Sequence, residues 1–335
     1  MDLLIIALAA CLASALATKA LIPWLARRGI VAEENDRSMH LGAIPKGGGL
    51  PLLLSALATL TALTQPMRLP LALLAATTLV AIVSWRDDLK PLPASWRFML
   101  HLVAAALFAA SLPGGALVFQ GYLPLVIDRA LTIVALVWMI NLFNFMDGIN
   151  GIAGTETVAI TAGYLGLGVT ALASLSYQPL AAAVLGSSLG FLVWNLRDKA
   201  LVFLGDVGSA PLGLLMGALM IDLAAHGAWA AALILPAYFL ADATLTLLGR
   251  LASGHMPWTA HKTHFYQRAA AAYKSHVAVV WRVSVANALL IAAALWSGSA
   301  PWTGLVFAAV VVAGLLAILN SAGQSRSSDN DQKLP

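Results

Sequence analysis

The chain has few of the charged residues that a water-soluble protein carries on its surface. Only 10% of its 335 residues are charged, 60% are hydrophobic, and the mean hydropathy is +0.86. This composition excludes a soluble globular domain. The single cysteine, Cys11, excludes an intramolecular disulfide. We see no internal repeat, which weighs against a transporter built from inverted repeats.

Apolar runs of about 17–25 residues, long enough to span a bilayer as helices, recur along the chain. They predict an all-α polytopic membrane protein with about eleven transmembrane helices, or ten as the alternative. The connections are too short to hold a soluble domain. We therefore expect one transmembrane domain over residues 1–320 and a disordered tail over 321–335. The predicted spans are roughly 3–25, 48–64, 69–85, 96–111, 127–143, 155–174, 179–196, 207–224, 228–248, 276–297 and 301–320.

Lysine and arginine concentrate on one side of this topology. If the first span is retained with its N-terminus outside, the outer loops carry only Arg68 and Arg129. This asymmetry is the positive-inside pattern, and it predicts that the inner loops and the C-terminus are cytoplasmic. The net charge of +4 then reflects topology and suits an anionic substrate or lipid headgroup. It gives no support to nucleic-acid binding.

Short polar islands on the cytoplasmic side hold most of the ionisable residues. Asp, Asn, His, Lys and Gly gathered at one membrane face are what a metal-assisted phosphoryl-transfer site needs. The islands are residues 36–40 with 45–49, 87–88, 141–154, 195–209, and 261–264 with Arg268.

Two of these islands present carboxylates suited to a metal ion. Asp87 and Asp88 repel each other, so a divalent cation between them is one interpretation; a solvated pair at a helix end is the other. Asp206 lies between two glycines just before a span, which suits a hard metal ligand or equally a helix N-cap. Upstream, Asn195 offers a neutral oxygen and Phe203 a stacking surface.

The longest polar island, residues 141–154, is the most specific. Asn141, Asn144 and Asp147 share one face if the segment is helical. A seam of small residues for helix packing explains its glycines but not this polar stripe.

The last inner loop places His261, His264 and Arg268 on one face if it is helical. That face suits a diphosphate better than a transition metal, because no further soft ligand is evident; a solvated loop stays open. Within the spans, Asp242 and Glu156 are ionisable and hence candidates for function or for bracing neighbouring helices. For Glu156 we favour the brace.

Together the islands resemble the polyprenyl-phosphate N-acetylhexosamine-1-phosphate transferase family, which is glycosyltransferase 4-like. The resemblance covers residues from about Arg37 to Arg268. It rests on Asp87-Asp88, the Asn-x-x-Asn-x-x-Asp-Gly-x-x-Gly run from Asn141, Phe-x-Gly-Asp-x-Gly-Ser from Phe203, and the histidine-containing last inner loop. These motifs occur in the family's order on one side of the membrane.

The resemblance implies a reaction in which a membrane-embedded undecaprenyl phosphate attacks the β-phosphorus of a UDP-N-acetylhexosamine. UMP leaves, and the process requires Mg²⁺ or Mn²⁺. Asp206 is the implied metal ligand, with Asn195 a second one. Asp87 would deprotonate or orient the lipid phosphate with support from Asp88. The implied catalytic residues are Asp87, Asp88, Asp147, His261, His264 and Arg268. The implied substrate-binding residues are Lys46, Asn141, Asn144, Asn195 and Phe203.

Departures from the peptidoglycan translocase of this family favour another branch. Residues 260–268 lack a run of adjacent histidines and are similar to the bacterial enzymes that initiate O-antigen and related lipopolysaccharide or cell-surface polysaccharides. The expected sugar is GlcNAc or a 6-deoxy relative such as FucNAc or QuiNAc. Asn150 replaces the family's usual Asp. The alternatives are the phospho-MurNAc-pentapeptide transferase and, in another class, a transporter of lipids or small molecules. The expected location is the bacterial inner membrane, and a homodimer is left open.

Overall fold

The computed structural model describes residues 2–32, 44–64, 70–170, 174–256 and 261–331, with side chains up to residue 324. Within them the chain forms thirteen α-helices and one antiparallel pair of two-residue strands, β1 (Val31–Ala32) and β2 (Ile44–Pro45). The helices are α1 (Leu3–Arg27), α2 (Gly49–Leu63), α3 (Leu71–Leu89), α4 (Ala94–Ser111), α5 (Leu125–Met146), α6 (Ile152–Thr170), α7 (Gln178–Asn195), α8 (Asp206–Ala225), α9 (Trp229–Ile234), α10 (Ala237–Ala252), α11 (Phe265–Tyr273), α12 (His276–Ser297) and α13 (Pro301–Asp331).

The prediction of an all-α, multi-pass membrane protein is confirmed. Seven helices in the described part of the chain are long and apolar enough to cross a bilayer, namely α1, α4, α5, α6, α8, α12 and residues 301–324 of α13. Each of the eleven predicted spans overlaps at least one helix.

Proline decides where several of these helices begin. Pro70, Pro93, Pro124 and Pro236 stand immediately before α3, α4, α5 and α10. Proline has no N–H to donate and clashes with a preceding helical turn, so a helix starts after it more readily than it passes through it. Pro236 interrupts the apolar run that we predicted as a single ninth span over 228–248, and the structure divides it into α9 and α10.

Helix α8 lies at the centre of the bundle, and its entire apolar stretch is buried. It packs against α3 and α5. Small residues allow the close approach: a Cβ on Gly213 would lie 2.5 Å from the Met139 carbonyl oxygen of α5. Helix pairs in lipid associate through such small-residue contacts, because burying apolar side chains gives no advantage over lipid.

Two segments outside the predicted spans are helical. The last inner loop contains α11, which places part of that loop on a fixed surface. Helix α13 continues to Asp331, whereas the sequence predicts disorder from Ser321. The first tail residues pack against α11, since a Cβ on Gly323 would lie 3.1 Å from Cβ of Arg268. This packing extends the helix past the apolar run.

Candidate active site

The first inner loop is joined to the segment before α8 by backbone hydrogen bonds. The N–H groups of Gly48 and Gly49 donate to the carbonyl oxygens of Phe203 and Leu204, at 2.9 and 2.8 Å. In return the Phe203 N–H donates to the Pro45 oxygen at 2.8 Å. Two islands more than 150 residues apart in the chain are thereby fixed side by side. Lys46 lies directly across from Phe203.

Glycine is required where this loop meets α8. A Cβ on Gly49 would overlap the Cα and nitrogen of Gly208, which are backbone atoms that cannot rotate away. Gly205 has φ +75°, and a Cβ there would lie 2.8 Å from the Asp88 carboxylate. The glycines of these islands therefore serve close backbone contact around the carboxylates.

Asp88 is held by the start of α8. Its Oδ2 accepts a hydrogen bond from the Val207 N–H at 2.9 Å, and its Oδ1 lies 3.8 Å from Nζ of Lys46. The Val207 N–H is one of the free donors at the N-terminus of α8, where a negative charge is favoured. Asp88 is 9% exposed. Asp88 therefore lies beside two other predicted site residues, Lys46 and Asp206.

An arginine links the other carboxylates. Nη1 of Arg97, in the first turn of α4, lies 2.8 Å from Asp87 Oδ2 and 3.5 Å from Asp206 Oδ2. Asp87 Oδ1 also accepts the Leu92 N–H at 2.6 Å. Arg97 is not among the site residues predicted from the sequence. The available signal was an arginine at the inner end of the predicted fourth span, ten residues beyond Asp87.

Asn144 and Asp147 at the end of α5 face this cluster. Nδ2 of Asn144 donates to Ser209 Oγ at 3.1 Å, and its side chain also bonds Asp206. Asp147 follows the last residue of α5. Burial, with the negative charges of Asp206 and Asp88, raises the pKa of Asp147 well above its usual range. Asn141 differs, because its Nδ2 turns back to the Val137 carbonyl at 2.7 Å.

Asn195 and Asn150 are bonded to backbone instead. Oδ1 of Asn195 accepts the Gly151 N–H at 2.7 Å, and its Nδ2 donates to the Val202 oxygen at 2.8 Å. This oxygen has a second lone pair, so the Gly151 bond leaves one position for a metal ion. Nδ2 of Asn150 donates to the Arg197 carbonyl at 2.6 Å. Both amides brace the two central islands against each other.

Only Arg268 of the last predicted group lies on α11, so the three side chains do not share one helical face as predicted, because the helix begins at Phe265. His264 precedes it, and the ring of His261 stacks on that of His264 with centroids 5.0 Å apart. Arg268 lies over the ring of Phe265 at 4.8 Å. Burial, followed by the neighbouring His264 and Arg250, lowers the pKa of His261 to about 4. His261 is therefore neutral near pH 7 and can donate one hydrogen bond.

The two carboxylates that we predicted to lie within spans act as braces. Asp242 accepts hydrogen bonds from the start of α11 and pairs with His264 at 3.1 Å. Glu156, which is fully buried, accepts from Asn287 Nδ2 of α12 at 2.8 Å, as the brace interpretation predicts. Residues 36–40, the first part of the first island, lie outside the described residues.

The oxygen donors around Asp206 fit Mg²⁺ or Mn²⁺ in kind. Carboxylates from Asp87, Asp88, Asp147 and Asp206 with the Asn144 amide are hard oxygen ligands. Burial is the first cause of the raised pKa of Asp147, and the charges of Asp206 and Asp88, which a divalent cation would offset, add to it. Among the described residues, however, no three acidic, histidine or cysteine side chains are arranged to hold a metal ion. Arg97 lies between Asp87 and Asp206 and supplies the positive charge there.

These features define a multi-pass helical membrane protein with an acidic, oxygen-rich site where helix ends meet. The sequence profile described as "Glycosyl transferase family 4" matches residues 70–224. This range includes Asp87, Asp88, Asp147 and Asp206. Over residues 70–224 the chain belongs to glycosyl transferase family 4.

Named relatives are similar over most of their length. A decaprenyl-phosphate N-acetylglucosaminephosphotransferase of Mycobacterium tuberculosis is 25% identical over 360 residues, covering 95% of this chain and 89% of the relative. A probable undecaprenyl-phosphate N-acetylglucosaminyl 1-phosphate transferase of Bacillus subtilis is 25% identical, covering 80% and 79%. A phospho-N-acetylmuramoyl-pentapeptide-transferase of Carboxydothermus hydrogenoformans is 29% identical, covering 58% and 68%.

Proposed function

We propose that the protein transfers an N-acetylhexosamine 1-phosphate from a UDP-sugar to undecaprenyl phosphate at the cytoplasmic face of the bacterial inner membrane. The sugar is GlcNAc or a 6-deoxy relative such as FucNAc or QuiNAc, and the product initiates O-antigen or a related surface polysaccharide. The observation that carries the proposal is the carboxylate cluster in which Arg97 bridges Asp87 and Asp206 while Lys46 lies beside Asp88. By its family and relatives the chain is a polyprenyl-phosphate N-acetylhexosamine-1-phosphate transferase.

The transfer joins a lipid phosphate oxygen to the β-phosphorus of the donor and breaks the bond from that phosphorus to the bridging oxygen. UMP leaves with the bonding electrons. The lipid phosphate is already an anion, so the protein's task is to position it and to offset charge. We favour direct attack over an aspartyl-phosphate intermediate for this reason.

The residues divide this task by location. Asp87, buried beside Arg97, orients the lipid phosphate or takes its proton, and Asp88 fixes Lys46 beside it. Lys46 and Arg97 attract the two anionic substrates. Asn144 and Asp147 line the diphosphate region, and Phe203 offers its ring to the uracil. His264 and Arg268 bind the diphosphate and sugar, with neutral His261 donating a hydrogen bond.

A divalent cation, Mg²⁺ or Mn²⁺, would be held mainly by Asp206 and would offset the charge of the transferring phosphoryl group. Asn195 would join this ligand set through the second lone pair of its amide oxygen, beside the bond that it accepts from Gly151. Asn141 would contribute through its oxygen, since its nitrogen is used within α5 and its side chain also bonds His101.

Two alternatives remain distinct. The 29% identity to a phospho-N-acetylmuramoyl-pentapeptide-transferase supports the same chemistry on a larger donor, whereas residues 261–268 argue against that branch. A transporter would suit the break between α9 and α10, but the carboxylates cluster at helix ends instead of within a broken helix.

The test is UMP release by purified protein with undecaprenyl phosphate and Mg²⁺, across UDP-GlcNAc, UDP-GalNAc, UDP-FucNAc, UDP-QuiNAc and UDP-MurNAc-pentapeptide. We expect release with one small donor that depends on both lipid and metal. Release with the pentapeptide donor alone would overturn the choice of branch. Absence of release and of UDP-sugar binding in folded protein would overturn the proposal.

A further inference from the structure

Asp242 of α10 receives more hydrogen bonds than a simple ion pair needs. Its carboxylate is fully buried. One oxygen accepts from Phe265 N–H at 3.2 Å and lies 3.1 Å from His264 Nδ1, and the other accepts from Tyr266 N–H at 3.2 Å. The hydroxyls of Tyr238 and Thr246 complete the set, each at 3.3 Å.

These contacts make Asp242 the cap of α11. The N-cap position is occupied by His264, whose side chain makes no capping bond. The first free N–H groups of α11 are satisfied by a carboxylate from another helix instead. The same carboxylate faces Nδ1 of His264, so the proton of a neutral His264 belongs on Nδ1 and Nε2 is left for a ligand.

The other contact on α11 joins it to the Asp147 turn. The Tyr266 hydroxyl donates to the Phe145 carbonyl at 2.9 Å. Tyr266 is fully buried and reaches this oxygen across Gly148. A Cβ on Gly148 would overlap the Tyr266 hydroxyl and lie 2.9 Å from Gln267 Nε2.

We propose that Asp242 and Tyr266 are positioning residues that clamp α11 between α10 and the Asp147 turn. The clamp sets where His264 and Arg268 meet the diphosphate of the donor. The role assigned to His264 and Arg268 rests on the proposed function, whereas the clamp itself is a property of the fold and is testable without turnover.

A suppressor experiment tests the Tyr266 contact. Gly148→Ala should lower kcat about 100-fold, because it pushes α11 away from Asp147. Tyr266→Phe loses the bonds of the hydroxyl to the Phe145 carbonyl, the Gly148 backbone and the Gln267 side chain, and it should lower kcat about fivefold. The double variant should regain at least about tenfold over Gly148→Ala, because the overlapping oxygen is gone. Gly249→Ala, with no atom within 4 Å of the added Cβ, is the matched control and should keep wild-type turnover.

If the fold-loss in kcat of the double variant equalled the product of the two single-variant losses, the inferred Tyr266 contact would be refuted. In that case Gly148 and Tyr266 would act independently.

Hydrogen–deuterium exchange tests the Asp242 cap without requiring activity. Asp242→Asn should speed exchange of the Phe265 and Tyr266 amides at least about tenfold while leaving α12 unchanged. Asp198→Asn is the matched control: Asp198 accepts the Val277 N–H of α12 at 3.2 Å, so this change should affect α12 and not α11.

Unchanged protection of α11 in Asp242→Asn would overturn the cap. If the wild-type protein released no UMP, the proposed function would fail, while the exchange result would still decide the clamp. With an active enzyme, Asp242→Asn should lower kcat more than it raises KM for the UDP-sugar, and Asp242→Glu should restore part of the loss.

Discussion

Replacing Gly49 with alanine tests the contact that brings the first inner loop to the acidic cluster. Gly49 opens α2, and its Cα would lie only 2.7 Å from a Cβ placed on Gly208 of α8. Adding a Cβ to Gly49 therefore forces the two helix ends apart. Lys46, three residues earlier, would move away from Asp88, from which it now lies 3.8 Å.

The cost follows from the atoms that the new methyl group meets. Overpacking a close contact usually costs about 1–3 kcal/mol. The obstacles here are Cα and N of Gly208, which are backbone atoms, so we expect the upper end, ~3 kcal/mol. For a chain of 335 residues that lowers the melting temperature by roughly 4 °C.

The assay is thermal melting in detergent alongside steady-state UMP release. Gly249→Ala is the control, because its Cβ meets nothing within 4 Å and the site lies inside α10. Alanine there should be neutral or stabilising by about 0.5–1 kcal/mol. If Gly49→Ala melted and turned over like Gly249→Ala, the inferred contact between α2 and α8 would be refuted.

Three further changes test the charges of the site and its bracing. Arg97→Ala should lower UMP release roughly 5–30-fold, since its charge-assisted bond to Asp87 contributes ~1–2 kcal/mol after discounting for exposure, and Arg97→Lys should retain more activity. Because the folded-state pKa of Asp147 is raised, wild-type stability in EDTA should fall as pH rises above about 4, and Asp147→Asn should flatten this dependence in melts between about pH 4 and 8. Glu156→Ala leaves the buried Asn287 amide unpaired and should cost about 1–3 kcal/mol in melting experiments, with Glu156→Gln costing less.

The membrane fold was predictable because apolar length and one-sided charge are local properties of the sequence. The break before α10 had a visible signal in Pro236, which we did not weigh against the surrounding apolar run. No signal in the sequence predicts that the first tail residues are helical. Their helical structure depends on packing of α13 against α11 at Gly323, a contact between distant parts of the chain.

The carboxylates of the site were predictable from the sequence, whereas the ion pairs and hydrogen bonds that join them to other elements were less so. One-sided topology is enough to place Asp87, Asp88 and Asp206 at the same face, as the structure does. The bridge by Arg97 depends on how the start of α4 packs beside α8, which spacing does not encode. The sequence predicts Asn195 as an oxygen ligand, but in the fold its amide is hydrogen-bonded to the backbone of Gly151 and Val202.

The most direct test compares lipid-dependent UMP release by the wild type, Asp206→Asn and Asp198→Asn. Asp206 is the proposed metal ligand, and Asp198 is an aspartate outside the cluster that caps α12. We predict that Asp206→Asn loses at least about 100-fold in turnover while remaining folded, and that Asp198→Asn stays close to the wild type. Near-full turnover by folded Asp206→Asn would contradict the account of this site.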